Sequence, residues 1–213
     1  MMRIADGVAM PRRRSIVGGI VFTLVLAALP ACVAADSTIY KIEEDWEMVI
    51  NEPDPANHSP QVTFYTSPSV NLDEVYFQLQ MNYAADREFS GGGFHVASVQ
   101  SDQILDEARS DTRRVLATDG DHIRWTSVMA VVYNKLLFAI KNGHATEWGD
   151  FGGPDYLVKM TPSPVPDLAE YHPQQSLDNV DIGFGANRVQ SVKMLRVRVF
   201  YTDGRMVTVP VNR

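Results

Sequence analysis

The sequence predicts an all-β fold, a two-layer antiparallel β-sandwich of about ten to twelve strands, and three observations carry that prediction. Period-two alternation of apolar and polar residues recurs along the chain after residue 38, as half-buried strands require. Turn-forming Gly, Pro, Asn and Asp clusters separate the alternating runs. Beyond the first 35 residues, only Gln103 to Arg109 reads as a short helix.

Taken in order, Tyr40, Ile42, Trp46, Met48 and Ile50 share one face of the first strand, and Lys41, Glu43, Asp45 and Glu47 share the other. The loop 51–57, with Pro53 and Pro55, ends it. Gln61 to Thr66 gives a second strand. The third alternates Val75, Phe77, Leu79, Met81 and Tyr83 against Tyr76, Gln78, Gln80 and Asn82, and Phe94 to Val99 follows Gly91-Gly92-Gly93. Asp119-Gly120-Asp121 reads as a hairpin turn. Ile123 to Val132 then alternates, Asn134-Lys135 turns the chain, and Leu136 to Asn142 closes at Asn142-Gly143. Residues 149–173 are loop-like and Pro-rich, with a short strand near Leu157 to Met160. Strands resume at Val180 to Phe184, Val189 to Phe200 and Met206 to Val211.

The N-terminus carries a different signal. Arg12-Arg13-Arg14 precedes an uncharged apolar run from Ser15 to Leu29, an n-region followed by an h-region. That run is shorter than the ~20 residues a transmembrane helix needs, and Pro30 stops it. Small residues follow, with Val33 and Ala35 at the positions a signal peptidase reads. Cleavage is expected before Asp36, leaving residues 36–213 as one secreted or periplasmic domain. Two other readings share this stretch: a lipoprotein box at Leu29-Pro30-Ala31-Cys32, which would anchor the chain through Cys32, and a twin-arginine signal at Arg13-Arg14.

Removing residues 1–35 takes away Arg3, Arg12, Arg13, Arg14 and Asp6, so 19 basic and 26 acidic residues become 15 and 25, and the net charge moves from -7 to -10. Such a chain is a poor partner for nucleic acid or anionic membrane. Cys32, the single cysteine, leaves too, so the mature domain folds without disulfides.

The hairpin from Trp125 to Tyr133 and from Leu136 to Gly143 resembles the central hairpin of laminin G-like domains, in the concanavalin A-like lectin/glucanase superfamily. Ile182 to Arg188 followed by Val192 to Phe200 is similar to that family's closing strands. The resemblance covers about the last 90 residues and implies a jelly-roll sandwich. Its members include proteins that bind sugars or other proteins, calcium binders and glycan hydrolases.

Several groups of residues bear on chemistry. Glu43, Asp45 and Glu47 resemble the Glu-x-Asp-x-(x)-Glu strand of laminarinase-type glucanases, where two carboxyls about 5 Å apart act as nucleophile and acid/base; the competing reading is a solvated acidic face. Asp119 with Asp121, and Asp178 with Asp181, are candidate calcium ligands, since hard cations take loop oxygens. Short Asp/Gly turns occur equally without metal. Asn142, Trp148 and Asp150 are candidate ligand contacts, because an aromatic ring stacks on a sugar face while amides and carboxylates bond its hydroxyls. The five histidines are scattered and no Gly-x-Ser-x-Gly is present, so zinc and serine-hydrolase readings lack support.

The expectation is therefore an exported, non-catalytic β-sandwich that binds carbohydrate or another cell-surface component, with no obligatory cofactor. The alternatives are a glycoside hydrolase built on Glu43, Asp45 and Glu47, and a structural envelope protein.

Overall fold

The computed structural model describes residues 37–51, 61–82, 93–110, 120–146, 149–183 and 188–211, which lie in the compact unit Ala35–Arg213. Among the described residues there are twelve strands: β1 (Ile39–Ile50), β2 (Val62–Thr66), β3 (Val75–Met81), β4 (Phe94–Gln100), β5 (Gln103–Ser110), β6 (His122–Val132), β7 (Lys135–Ala145), β8 (Gly149–Phe151), β9 (Leu157–Met160), β10 (Val180–Ile182), β11 (Val189–Tyr201) and β12 (Met206–Pro210). Among the described residues, a 3-10 turn spans Pro154–Tyr156 and one α-helix, α1 (Pro173–Asp178), precedes β10.

The strands form two antiparallel sheets. The larger has the order β12-β11-β1-β6-β7-β8, with β9 also paired to β7, and the smaller runs β10-β2-β3-β4-β5. Two sheets each with one apolar face bury those faces against each other, which gives the antiparallel jelly-roll sandwich. Between them lie Ile42, Trp46, Met48 and Ile50 of β1, Phe77 and Leu79 of β3, and Ile123, Trp125 and Met129 of β6, all buried. Aromatic pairs bind the layers together. Phe64 of β2 meets Trp46 edge-on at 5.2 Å and Trp125 at 4.8 Å. Phe77 stacks on Phe138 at 4.9 Å, and Phe94 on Phe151 at 4.7 Å.

Four expectations need correction. Residues 103–109 are not a helix but most of β5, paired along its length with β4. This is an edge strand with no fully buried residue, exposed on one face and only partly covered on the other, so it lacks the apolar alternation that marks a half-buried strand. The α-helix is instead α1, between the loop-like stretch that ends at Pro173 and the strand at Val180. Pro173 occupies its first turn, and the Nδ1 of His172 accepts from the Gln174 amide at 3.3 Å. The β6–β7 turn falls on Tyr133 and Asn134, both at positive φ, which suits the twist of a two-residue hairpin. Finally, Asn142-Gly143 does not close β7; the strand runs on to Ala145 through a bulge.

A buried polar cluster fixes the α1 segment to the sandwich. The Glu44 carboxylate lies between the layers and accepts four hydrogen bonds. Trp46 Nε1 donates at 3.0 Å and Thr66 Oγ1 at 3.3 Å to one oxygen, while Tyr171 Oη at 2.8 Å and Ser176 Oγ at 2.6 Å donate to the other. Burial pushes the Glu44 carboxyl above its ordinary value against the pull of these donors, and burial beside Glu44 pushes the Tyr171 phenol well up. Among the described residues, no helix is long and apolar enough to cross a membrane.

Candidate functional site

Strand β1 occupies the middle of the larger sheet, so its solvent-side residues head rows that cross several strands. Glu43 faces Arg198 of β11 and Val128 of β6; Asp45 faces Arg196 and Thr126; Glu47 faces Lys193 and Arg124. The rows continue on β7, where Thr126 faces Lys141 and Arg124 faces His144, and His144 in turn faces Asp150 of β8.

Every β1 carboxylate in these rows is ion-paired. Glu43 meets Lys141 at 2.5 Å, Arg198 at 3.0 Å and Lys41 at 3.2 Å. Asp45 meets Arg196 at 2.5 Å and Arg198 at 2.8 Å, and accepts from Thr126 Oγ1 at 2.8 Å. Glu47 meets Arg124 at 2.6 Å and His122 at 3.0 Å. Burial alone would raise the Glu43 carboxyl, but the hydrogen bonds and charges of Lys141 and Lys41 outweigh it and hold the group below the ordinary value. The Arg124 hydrogen bond, reinforced by His122, likewise depresses Glu47 against a smaller effect of burial. Strand alternation thus brings Glu43, Asp45 and Glu47 to one face, as the glucanase resemblance requires. The local charges, however, favour ionised Glu43 and Glu47, whereas a retaining glycosidase needs one carboxyl kept protonated.

Two bulges at the same level open this face. On β11, Asp45 pairs with Arg196 and Trp46 with Met194, leaving Leu195 as an extra residue. On β7, Arg124 pairs with His144 and Thr126 with Lys141, so the chain gains a residue around Asn142, whose φ is +53°. A bulge bends its strand and re-aims the side chain beside it. Between the bulges lies an open groove of about 310 Å³, bordered by Asp45, Arg124, Thr126, Asn142, Arg196 and Arg198, with Leu195 at its edge and Trp46 and Trp125 beneath. Neutral hydrogen-bonding groups and guanidinium donors therefore share one shallow site.

Of the candidate ligand contacts, Asn142 borders the groove. Asp150, on β8, stands three strands along the sheet from β1 and pairs with His144 Nδ1 at 2.7 Å. Trp148 lies outside the described residues, as does Asp119 among the calcium candidates. Asp121 is buried and accepts from Thr146 Oγ1 at 2.9 Å. Asp178 accepts from Gln174 Nε2 at 2.6 Å, and Asp181 sits on β10 opposite Thr63. Among the described residues, no three His, Cys, Asp or Glu side chains gather as a metal site.

Sequence reasoning passed over Arg124, Arg196 and Arg198, which supply most of the groove's charge. Their signal was present: Arg196 and Arg198 are two apart on a strand, hence on one face. It also passed over Glu44, the one acidic residue on the apolar side of β1.

No protein-family model and no curated protein matches the chain. Among solved structures, a human galectin-16 variant is 14% identical, with 75% of this chain and 88% of that chain covered and a TM-score of 0.37. Ligand-free congerin I is 17% identical over 73% and 91% of the two chains, with a TM-score of 0.32. Chicken galectin 2 is 15% identical over 76% and 96%, with a TM-score of 0.29. Likenesses this partial carry no argument about what the protein does.

Proposed function

We propose that this chain is an exported, non-catalytic β-sandwich, laminin G-like in its central hairpin, that binds carbohydrate through the outer face of its larger sheet. The observation behind this reading is the groove between the Leu195 and Asn142 bulges. It sets an amide, a hydroxyl and three guanidinium groups around one open site. Hydroxyl-rich ligands are recognised by such fixed donors and acceptors, and the ion pairs to Asp45 and Glu47 hold the arginines in place before a ligand arrives.

Two measurements test the proposal. The full chain, applied to a panel of immobilised glycans, is expected to retain a subset that Asn142→Gly weakens; that substitution removes the amide while keeping a residue suited to positive φ. Retention of no glycan, or retention indifferent to every groove substitution, defeats the binding reading. Mass spectrometry of the protein recovered after export is expected to show Asp36 as the first residue. A lipidated Cys32 would make it a membrane-anchored protein, and an uncut N-terminus would remove the export reading.

A further inference from the structure

We infer that the groove selects anionic saccharides, sugars bearing carboxylate or sulfate groups, over neutral ones; this rests on the carbohydrate-binding reading above.

The first support is charge placement. The protein as a whole is acidic, with a net charge of -7. Yet the outer-face rows of the larger sheet gather Lys41, Arg124, Lys141, Lys193, Arg196 and Arg198 against Glu43, Asp45, Glu47 and Asp150. Cations therefore outnumber carboxylates on this face, and within the groove three guanidinium groups border a single carboxylate, Asp45. An anion approaching an otherwise repelling molecule is favoured here.

The second support is unused donor capacity. A guanidinium carries five N–H donors in a planar fork that matches a carboxylate or sulfate. Arg196 uses its Nε on Asp45, and Arg124 uses Nε and Nη2 on Glu47. Their remaining donors have no protein acceptor among the described residues. The two side chains are 53% and 61% exposed, so a ligand reaches them without displacing the core. Each is anchored on one edge by its carboxylate, which reduces the ordering cost of binding on the other.

The third support is the company these groups keep. Asn142 and Thr126 are neutral polar groups in the same groove, and Leu195 is the single apolar side chain bordering it outside the sandwich core. An acidic protein segment would call for a larger apolar centre. A charged sugar presents an anion beside hydroxyls, which is the mixture these side chains match.

The experiment is calorimetric titration of the full chain with three probes: a galacturonic acid trimer, its carboxyl-reduced galactose counterpart, and a sulfated galactose trimer. The expected result is that at least one acidic trimer binds about tenfold or more tightly than the neutral one, that added salt narrows the gap, and that the double substitution Arg124→Gln with Arg196→Gln abolishes it. Which acidic trimer wins identifies the anion. Arg196→Lys, which keeps the charge and removes the fork, is expected to lie between wild type and the double variant. Circular dichroism melts confirm that these exposed substitutions leave the protein folded. Equal binding of neutral and acidic trimers, weakened by Asn142→Gly, overturns the anion preference and leaves carbohydrate binding standing. An acidic preference that survives the double substitution overturns the assignment to these arginines. Binding of none of the three overturns both.

Discussion

Trp46 and Trp125 are register partners on β1 and β6, and their rings stack at 6.0 Å with only 5° between the planes. They lie at the centre of the sandwich core and directly beneath the groove, so the packing of the core and the shape of the site depend on the same pair. Trp125→Ala leaves a cavity against Phe64 as well as Trp46. A loss of about 3–5 kcal/mol is expected in chemical denaturation. A loss below about 1 kcal/mol would show that the site rests on other supports.

Glu44 and its neighbours Glu43 and Glu47 are expected to act oppositely on stability as pH changes. Glu44 is raised from the ordinary value of 4.5, so above that value the native state holds a proton that the unfolded chain has released. Its contribution is present below 4.5 and is lost as pH rises through the folded value. In Glu44→Gln that dependence disappears, and the amide meets four donors with only one acceptor oxygen, at a cost of about 1–3 kcal/mol. Thermal melts across pH should show wild type gaining on the variant toward acid; a constant difference would contradict the assignment.

Glu43 and Glu47 are lowered from 4.5, so their contribution is present above that value and is lost as pH falls through their folded values. Glu43→Gln should flatten part of the acid limb of the stability curve. Any hydrolysis should survive it, because the Glu43 carboxyl is buried and committed to Lys141, Lys41 and Arg198 rather than open to a substrate. β-Glucan hydrolysis present in wild type and absent in Glu43→Gln would restore the glycosidase reading.

Gly143 packs against Phe151 so closely that an added Cβ would lie 2.5 Å from the ring. Gly143→Ala must therefore shift Phe151, which stacks on Phe94 of the facing sheet. A destabilisation of about 1–3 kcal/mol is expected, read as a lower Tm. An unchanged Tm would mean that β8 moves without disturbing the core.

The sandwich was legible where strands are buried on one face. Ile42 to Ile50, Val75 to Met81 and Ile123 to Val131 alternate because each strand's sides meet different surroundings, and all three lie where the pattern places them. Strand β5 was not legible, since no residue of it is fully buried, and neither was α1, whose six residues are too few for a helical period. The acidic side of β1 was also legible. Its partners were not, because pairing of Asp45 with Arg196 and Arg198 spans some 150 residues and depends on which strands become neighbours. Asn142 read as a turn because Asn-Gly favours positive φ; the backbone took that φ inside a strand and made a bulge.

The central position of β1 dictates the order in which this protein can assemble. Its flanking strands, β6 and β11, begin at residues 122 and 189, so β1 leaves the ribosome long before it has both neighbours. Glu44 cannot gather its four donors until Ser176 has been made, 132 residues later. Such distant contacts place the chain among slow folders, on the scale of milliseconds to seconds. For that interval β1 presents an apolar, half-paired edge, and encounters between growing chains compete with native pairing.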